Sequence, residues 1–278
     1  MNISSLSFSN VLVAYSFLMV SVVTSLLLNI GLSGKILLSS LRCVIQLTIM
    51  GYLLKPIMDN YNLPLMVLLT LAMISMGAIE VSFLKLKKTI RGMFWISIFA
   101  ISVGCTTIAI LGNAFAIGVS PFYNPRFFLP VIGMLLGNAI TGTALCLTSL
   151  FDGLYGQQDV IEFYLALGAT KWQAMRPLIA KSLAIGLLPN LNSMSIQGFI
   201  SIPGMMTGQI LAGMAPLDAV KYQQILMFLI SAATCLTVVV CTLVVYWTMF
   251  DEREQLNLSM IHDNEWTLFP RRSNYERL

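Results

Sequence analysis

Charge is what this sequence has least of. Only 10% of its 278 residues are Asp, Glu, Lys or Arg, against about 25% in a typical soluble domain, which excludes an ordinary soluble enzyme. Histidine occurs once, as His262, so neither a Ser-His-Asp triad, an HExxH zinc motif nor a histidine-based facial triad can be assembled. Cys43, Cys105, Cys146, Cys235 and Cys241 all lie inside apolar runs without metal-ligand or redox spacing, and this excludes a disulfide scaffold. A net charge of +4 is too small for a nucleic-acid surface, which needs many clustered phosphate contacts. A phosphate-binding loop is missing too. Gly31-Leu32-Ser33-Gly34-Lys35-Ile36 lacks the first glycine at the required spacing and the Ser or Thr after Lys, so it reads as a turn and the chain binds no nucleotide of its own.

Apolar residues, at 57%, are what the chain has instead. They fall into seven stretches, roughly 10–30, 36–54, 63–84, 92–117, 127–150, 182–211 and 216–250. About 20 residues of helix cross the ~30 Å hydrocarbon layer, and the alternating pattern of a membrane barrel is absent. The chain is therefore expected to be an all-α polytopic membrane protein of about seven transmembrane helices in a lipid bilayer, with residues 1–250 as one membrane domain and 251–278 as a cytoplasmic tail. No basic residue precedes the first stretch, which is longer than a signal-peptide core, so it is a retained span.

Position of charge sets the orientation. Lys35, Lys85, Lys87, Lys88, Arg91, Lys171, Arg176, Lys181, Arg253, Arg271, Arg272 and Arg277 fall on one side; Lys55, Arg126 and Lys221 fall on the other, and Arg42 lies inside a span. Twelve against three places the C-terminus in the cytoplasm and the N-terminus outside. A plasma or inner membrane fits better than an internal one.

The cytoplasmic segment 151–181 has the signals of two helices around a glycine break. Asp159 and Glu162 open a short helix over 158–167, where the helix dipole favours them, and Gly168 is placed as its C-terminal cap. Thr170-Lys171-Trp172-Gln173 has the spacing of a capping box, which starts a second helix.

Polar groups inside spans are costly and mark candidate sites. Ser39, Arg42 and Gln46 share one helical face, where Arg42 serves either an anionic group or carboxylate in the pathway or a structural pair with Glu80 or backbone carbonyls. Gly133 and Gly137 show small-xxx-small spacing, followed by Asn138 and Thr141. Pro189, Asn190 and Asn192 open the sixth span; Pro203 and Gly204, which remove a donor and loosen the chain, break it near its end, just before the soft thioethers of Met205 and Met206. Broken helices of this kind often form transporter substrate sites. The pathway candidates are Arg42, Gln46, Asn138, Thr141, Asn192, Met205 and Met206.

The run from Glu162 to Pro177, with six residues from Glu162 to Gly168, resembles the cytoplasmic loop by which ABC-transporter permeases dock on their ATPase subunits. The later Leu-Pro of the importer form is replaced by Ala180-Lys181. Together with Arg42-Cys43-Val44-Ile45-Gln46-Leu47 and Pro203-Gly204-Met205-Met206-Thr207-Gly208-Gln209-Ile210, it resembles the FetB-type ABC transporter permease family. That resemblance implies a permease homodimer with separate ABC ATPase subunits that use ATP, no cofactor bound by this chain, and coupling through Glu162, Leu165, Leu167, Gly168, Ala169 and Trp172. It implies export of a metal ion such as iron, or alternatively transport of a nucleotide sugar. A self-sufficient ion-coupled carrier or channel is the competing class.

Overall fold

The structure, a computed structural model, describes residues 8–60, 62–250 and 260–264. Its contacts divide the chain into two units, Met1–Asn62 and Leu63–Leu278. In the first unit, helix α1 (Phe8–Leu27) and helix α2 (Ser33–Asn60) form an α-hairpin. Its turn uses the left-handed conformation at Asn29 and Gly31, and the Ser25 hydroxyl accepts the Leu32 N–H at 3.1 Å. Tyr15 Oη and Ser40 Oγ, 3.2 Å apart, link the helices. The faces turned away from this contact are apolar and exposed, as lipid-facing helices must be, because their backbone polar groups are already satisfied internally.

The second unit contains α3 (Leu63–Ile79), β1 (Lys88–Ile90), α4 (Met93–Ile101), α5 (Thr107–Leu111), α6 (Pro125–Gly156), α7 (Gln158–Ala166), α8 (Lys171–Ile196), α9 (Gly204–Leu211), α10 (Pro216–Thr248) and β2 (Ile261–Asp263). π-helical turns at Glu80–Lys85, Ser102–Thr106 and Gly112–Ala116 extend α3 and join α4 to α5 and beyond. Helix α6 begins at Asn124, whose side chain accepts the Arg126 N–H, with Pro125 at the first helical position. That is where a proline fits without losing a bond. At 32 residues it is about 48 Å long, well beyond the hydrocarbon thickness, so it projects from the membrane.

Among the described residues six helices are long and apolar enough to cross a membrane: 9–27, 33–58, 63–85, 93–116, 125–156 and 216–248. The remaining expected stretch, 182–211, is not one helix. Its first part belongs to α8, which starts at Lys171 and carries Lys171, Arg176 and Lys181 along its first half. The chain then leaves helical geometry at Gln197 and resumes it at Gly204, with Pro203 extended at φ −62° and ψ 141° as the cap.

Small residues set how closely the helices approach. Gly142 of α6 lies against Gly186 of α8, and a methyl group placed on Gly104 would fall 2.8 Å from the backbone of Thr237 in α10. The expected Gly133 and Gly137 pair is not the seam. Gly137 has no neighbour within 4 Å and Gly133 meets only the tip of Met73. Cys146 packs beside Thr242 at 3.3 Å and Cys105 beside Thr237 at 3.7 Å. Both cysteines are buried fillers, as is Cys241, whereas Cys43 and Cys235 are exposed.

Part of the tail is built into the bundle. β2 pairs antiparallel with β1, Thr89 opposite His262, and the buried Asn264 side chain donates to the carbonyls of Ser82, Phe83 and Leu86 at 2.9–3.1 Å. These carbonyls lie where the α3 extension ends. Arg253, Arg271, Arg272 and Arg277 lie outside the described residues.

Candidate functional site

Two places in the second unit gather the candidate residues. The first is the α7–α8 elbow. Helix α7 ends with Gly168 at φ +87°, while the Gly168 N–H donates to Leu165 O and the Ala169 N–H to Tyr164 O, both at 3.0 Å. This is a Schellman ending, and the left-handed residue at its centre favours glycine. One residue of extended chain follows. The Thr170 hydroxyl then accepts the Gln173 N–H at 3.2 Å and the Gln173 side chain accepts the Thr170 N–H at 2.9 Å. Both ends of the elbow are thus closed by hydrogen bonds, which makes it stiff.

Only Ile161 anchors α7 by burial; Val160, Phe163, Tyr164 and Leu167 are exposed. Of the expected coupling residues, Glu162, Leu167 and Gly168 are exposed, and Leu165 and Ala169 are half-buried. Glu162 accepts a bond from Gln158 one turn earlier at 2.8 Å. Trp172 is partly exposed, yet its ring meets Tyr246 of α10 edge-on at 5.8 Å, and Tyr246 meets Phe250 at 5.5 Å. It therefore ties the start of α8 to the end of α10.

The basic loop after α3 reaches the same end of the unit. Lys88 lies 3.6 Å from Asp152 and sits over the Tyr155 ring at 3.8 Å, both on the last turns of α6. The C-terminal ribbon docks there as well, through Thr89 and Ile90.

The second place is a cavity of about 320 Å³ bounded by the end of α8, the break, α9 and α10. Met194, Gln197, Pro203, Met206, Gln223 and Met227 are among its walls. Of the pathway candidates, Met206 lines this cavity, while Met205 is half-buried on α9 and does not. Asn138 donates to Met134 O in its own helix at 2.9 Å. Thr141 is fixed by Lys85 Nζ, which donates to it at 3.3 Å, and donates in turn to Gly137 O. Asn192 is exposed, and it is Asn190 that turns inward, buried with an unpaired side-chain nitrogen. Arg42 and Gln46 are exposed along α2 of the first unit. Within the second unit the structure thus brings Met206, Pro203 and the helix break together and leaves Asn138, Thr141, Asn192 and Met205 off the cavity wall.

Sequence reasoning passed over Gln223, Ile161 and Asn264, and it names Asn190 in the opening of the sixth span without placing it among the pathway candidates. Gln223 and Gln224, two amides at the start of an otherwise apolar helix, were a readable signal; Asn264 was not, because its role comes from tertiary packing alone. Among the described residues no three His, Cys, Asp or Glu side chains converge to hold a metal.

With this geometry established, residues 8–250 match the profile of the uncharacterised protein family UPF0014. The chain belongs to the UPF0014 family. Similar UPF0014 proteins include a membrane protein of Synechocystis, 33% identical over 82% of this chain and 88% of the relative. The probable iron export permease protein FetB of Escherichia coli is 31% identical over 94% of this chain and 99% of its own length. The protein ALUMINUM SENSITIVE 3 of Arabidopsis thaliana is 31% identical over 86% of this chain and 85% of its own. No solved structure matches. The UPF0014 assignment and the apolar helices together make this an integral multi-pass membrane protein.

Proposed function

We propose that the chain is the membrane-spanning subunit of an ABC-type exporter, driven by ATP on a separate subunit and carrying a metal ion such as iron. The observation that carries this reading is the continuity of α8. One helix of 26 residues, about 39 Å long, begins at the elbow and ends at Met194–Ile196 beside the cavity. Movement of α7 by a docked ATPase would tilt that lever, with Pro177 and Pro189 inside it as the places where it bends. The exposed apolar side chains of α7 give the ATPase its contact, and the basic loops at this end support a cytoplasmic position for it.

A second copy of the chain completes the assembly. Phe199, Ile200 and Ile202 are exposed on the irregular segment between α8 and α9, and irregular backbone at membrane depth is tolerated where protein covers it. The name of the Escherichia coli relative supports iron as cargo.

Proteoliposomes holding the chain and its ATPase subunit test this reading with iron(II). Movement should need ATP and both subunits. Movement by the chain alone would favour a self-sufficient carrier and contradict the proposal.

A further inference from the structure

A second cleft, of about 360 Å³, opens between the last turns of α6 and the first half of α8. Glycine makes part of the room: nothing lies within 4 Å of where a side chain on Gly156 would begin. Asp152, Gln157 and Lys181 are polar groups of its wall, and Ile185, one turn beyond Lys181 on α8, is an apolar one. Asp152 is already engaged by Lys88 at 3.6 Å. Lys181 and Gln157 are both exposed, and among the described residues neither side chain has a hydrogen-bond or ion-pair partner. Lys88 and Lys181 against Asp152 leave one positive charge in excess. The cleft thus offers unused donors and positive charge to an anion, whereas one carboxylate already paired with a lysine is too little for a divalent cation. Lys181 is also the last charge on α8, since Ser182–Ile196 carries none, so its ammonium stands where the helix meets the apolar layer.

We propose that this cleft binds the phosphodiester headgroup of an anionic membrane phospholipid. Lys181 Nζ and the Gln157 amide donate to the phosphate oxygens, as charge-assisted and neutral hydrogen bonds respectively, and the chain-bearing side of the lipid lies toward Ile185. A free phosphate has the same acceptor chemistry. The lipid is favoured because the cleft lies between membrane helices at the edge of the apolar layer, the place where basic pockets hold anionic headgroups. A headgroup seated there touches the end of α6, the N-cap residue of α7 and the shaft of α8 together. The proposal rests on the membrane assignment and is independent of the transport reading.

Native mass spectrometry of the full chain, released from micelles titrated with phosphatidylglycerol or with phosphatidylcholine, tests this. The tightest-held lipid should be phosphatidylglycerol, and its binding should weaken roughly fivefold in Lys181→Gln. Arg176→Gln removes a cation from the same helix outside the cleft and should change binding by less than about twofold. Gly156→Leu fills the cleft while keeping every charge, and should weaken binding as well. Both Lys181→Gln and Gly156→Leu should keep the wild-type Tm, because Lys181 is exposed and the space around Gly156 is open. Glycerophosphoglycerol and inorganic phosphate, which carry the anion without acyl chains, should not displace the lipid. Equal binding of the two lipids, unchanged binding in Lys181→Gln or in Gly156→Leu, or equal losses in Lys181→Gln and Arg176→Gln would each overturn the proposal. Displacement by inorganic phosphate would overturn the lipid assignment and make this a site for the free anion.

Discussion

Gly142 and Gly186 sit face to face across α6 and α8, so close that a methyl group on either would lie 2.8 Å from the carbonyl oxygen of the other. Side-chain-free contact of this kind lets Cα–H groups face carbonyls and is how helices associate where lipid offers no hydrophobic drive. Ser149 and Ser182, 3.3 Å apart, continue the seam, and Gly153 continues it against Leu178. The seam fixes α8, the proposed lever, on the central helix.

Alanine at Gly142 or Gly186 should therefore destabilise the protein by about 1–3 kcal/mol through overpacking. Gly137→Ala, with open space around it, should be neutral or stabilise by up to about 1 kcal/mol through helix propensity. Thermal unfolding in detergent compares the three. Equal effects at positions 137 and 186 would rule out the close seam.

The elbow makes a second prediction. Gly168→Val forces a β-branched residue into a φ of +87°, costs at least about 1–2 kcal/mol locally, and should leave ATP hydrolysis by the complex intact while transport falls. The ratio of cargo moved to ATP hydrolysed measures this. An unchanged ratio would remove Gly168 from the coupling path.

At the other end of the elbow, Thr170→Ala deletes the cap of α8 and should lower stability by about 0.5–2 kcal/mol, with Thr170→Ser retaining most of it. Amide hydrogen exchange over residues 171–176 reads the effect directly. Protection that stays the same in Thr170→Ala would show that tertiary contacts such as Trp172 on Tyr246 hold this turn without the cap.

Asn264 makes the tail testable. Its amide N–H groups donate to the carbonyls of Ser82, Phe83 and Leu86, so Asn264→Asp, which removes the donors and adds a negative charge beside those oxygens, should release the ribbon. Limited proteolysis near residues 255–265 should quicken several-fold relative to wild type, and Asn264→Ala should fall between the two. Equal proteolysis in all three proteins would mean that the β1–β2 pairing suffices by itself.

Much of this architecture was legible because membrane helices announce themselves by length and apolarity, and because the elbow is written in local chemistry: Gly168 and Thr170-x-x-Gln173 act on their own neighbours in sequence. The sixth stretch misled because α8 runs without interruption from the charged elbow into the apolar region, and a reading by apolarity cuts such a helix in two. Asn190 and not Asn192 turns inward, because two residues of separation along a helix put the two on different faces, and only packing supplies that phase. Gln223 is readable as one of two amides at the start of an apolar helix, but its burial comes from packing alone.

The account depends most on an ATPase docked at α7. Affinity purification of the chain from its native membrane, followed by subunit stoichiometry and ATPase assay, tests this directly. Wild type should retain an ATP-hydrolysing subunit in equal number, Gly168→Val should retain it as well, and Phe163→Asp with Leu167→Asp should lose it without a drop in Tm. A wild-type chain that transports at full rate with no such subunit, or a double variant that keeps it, would contradict the account.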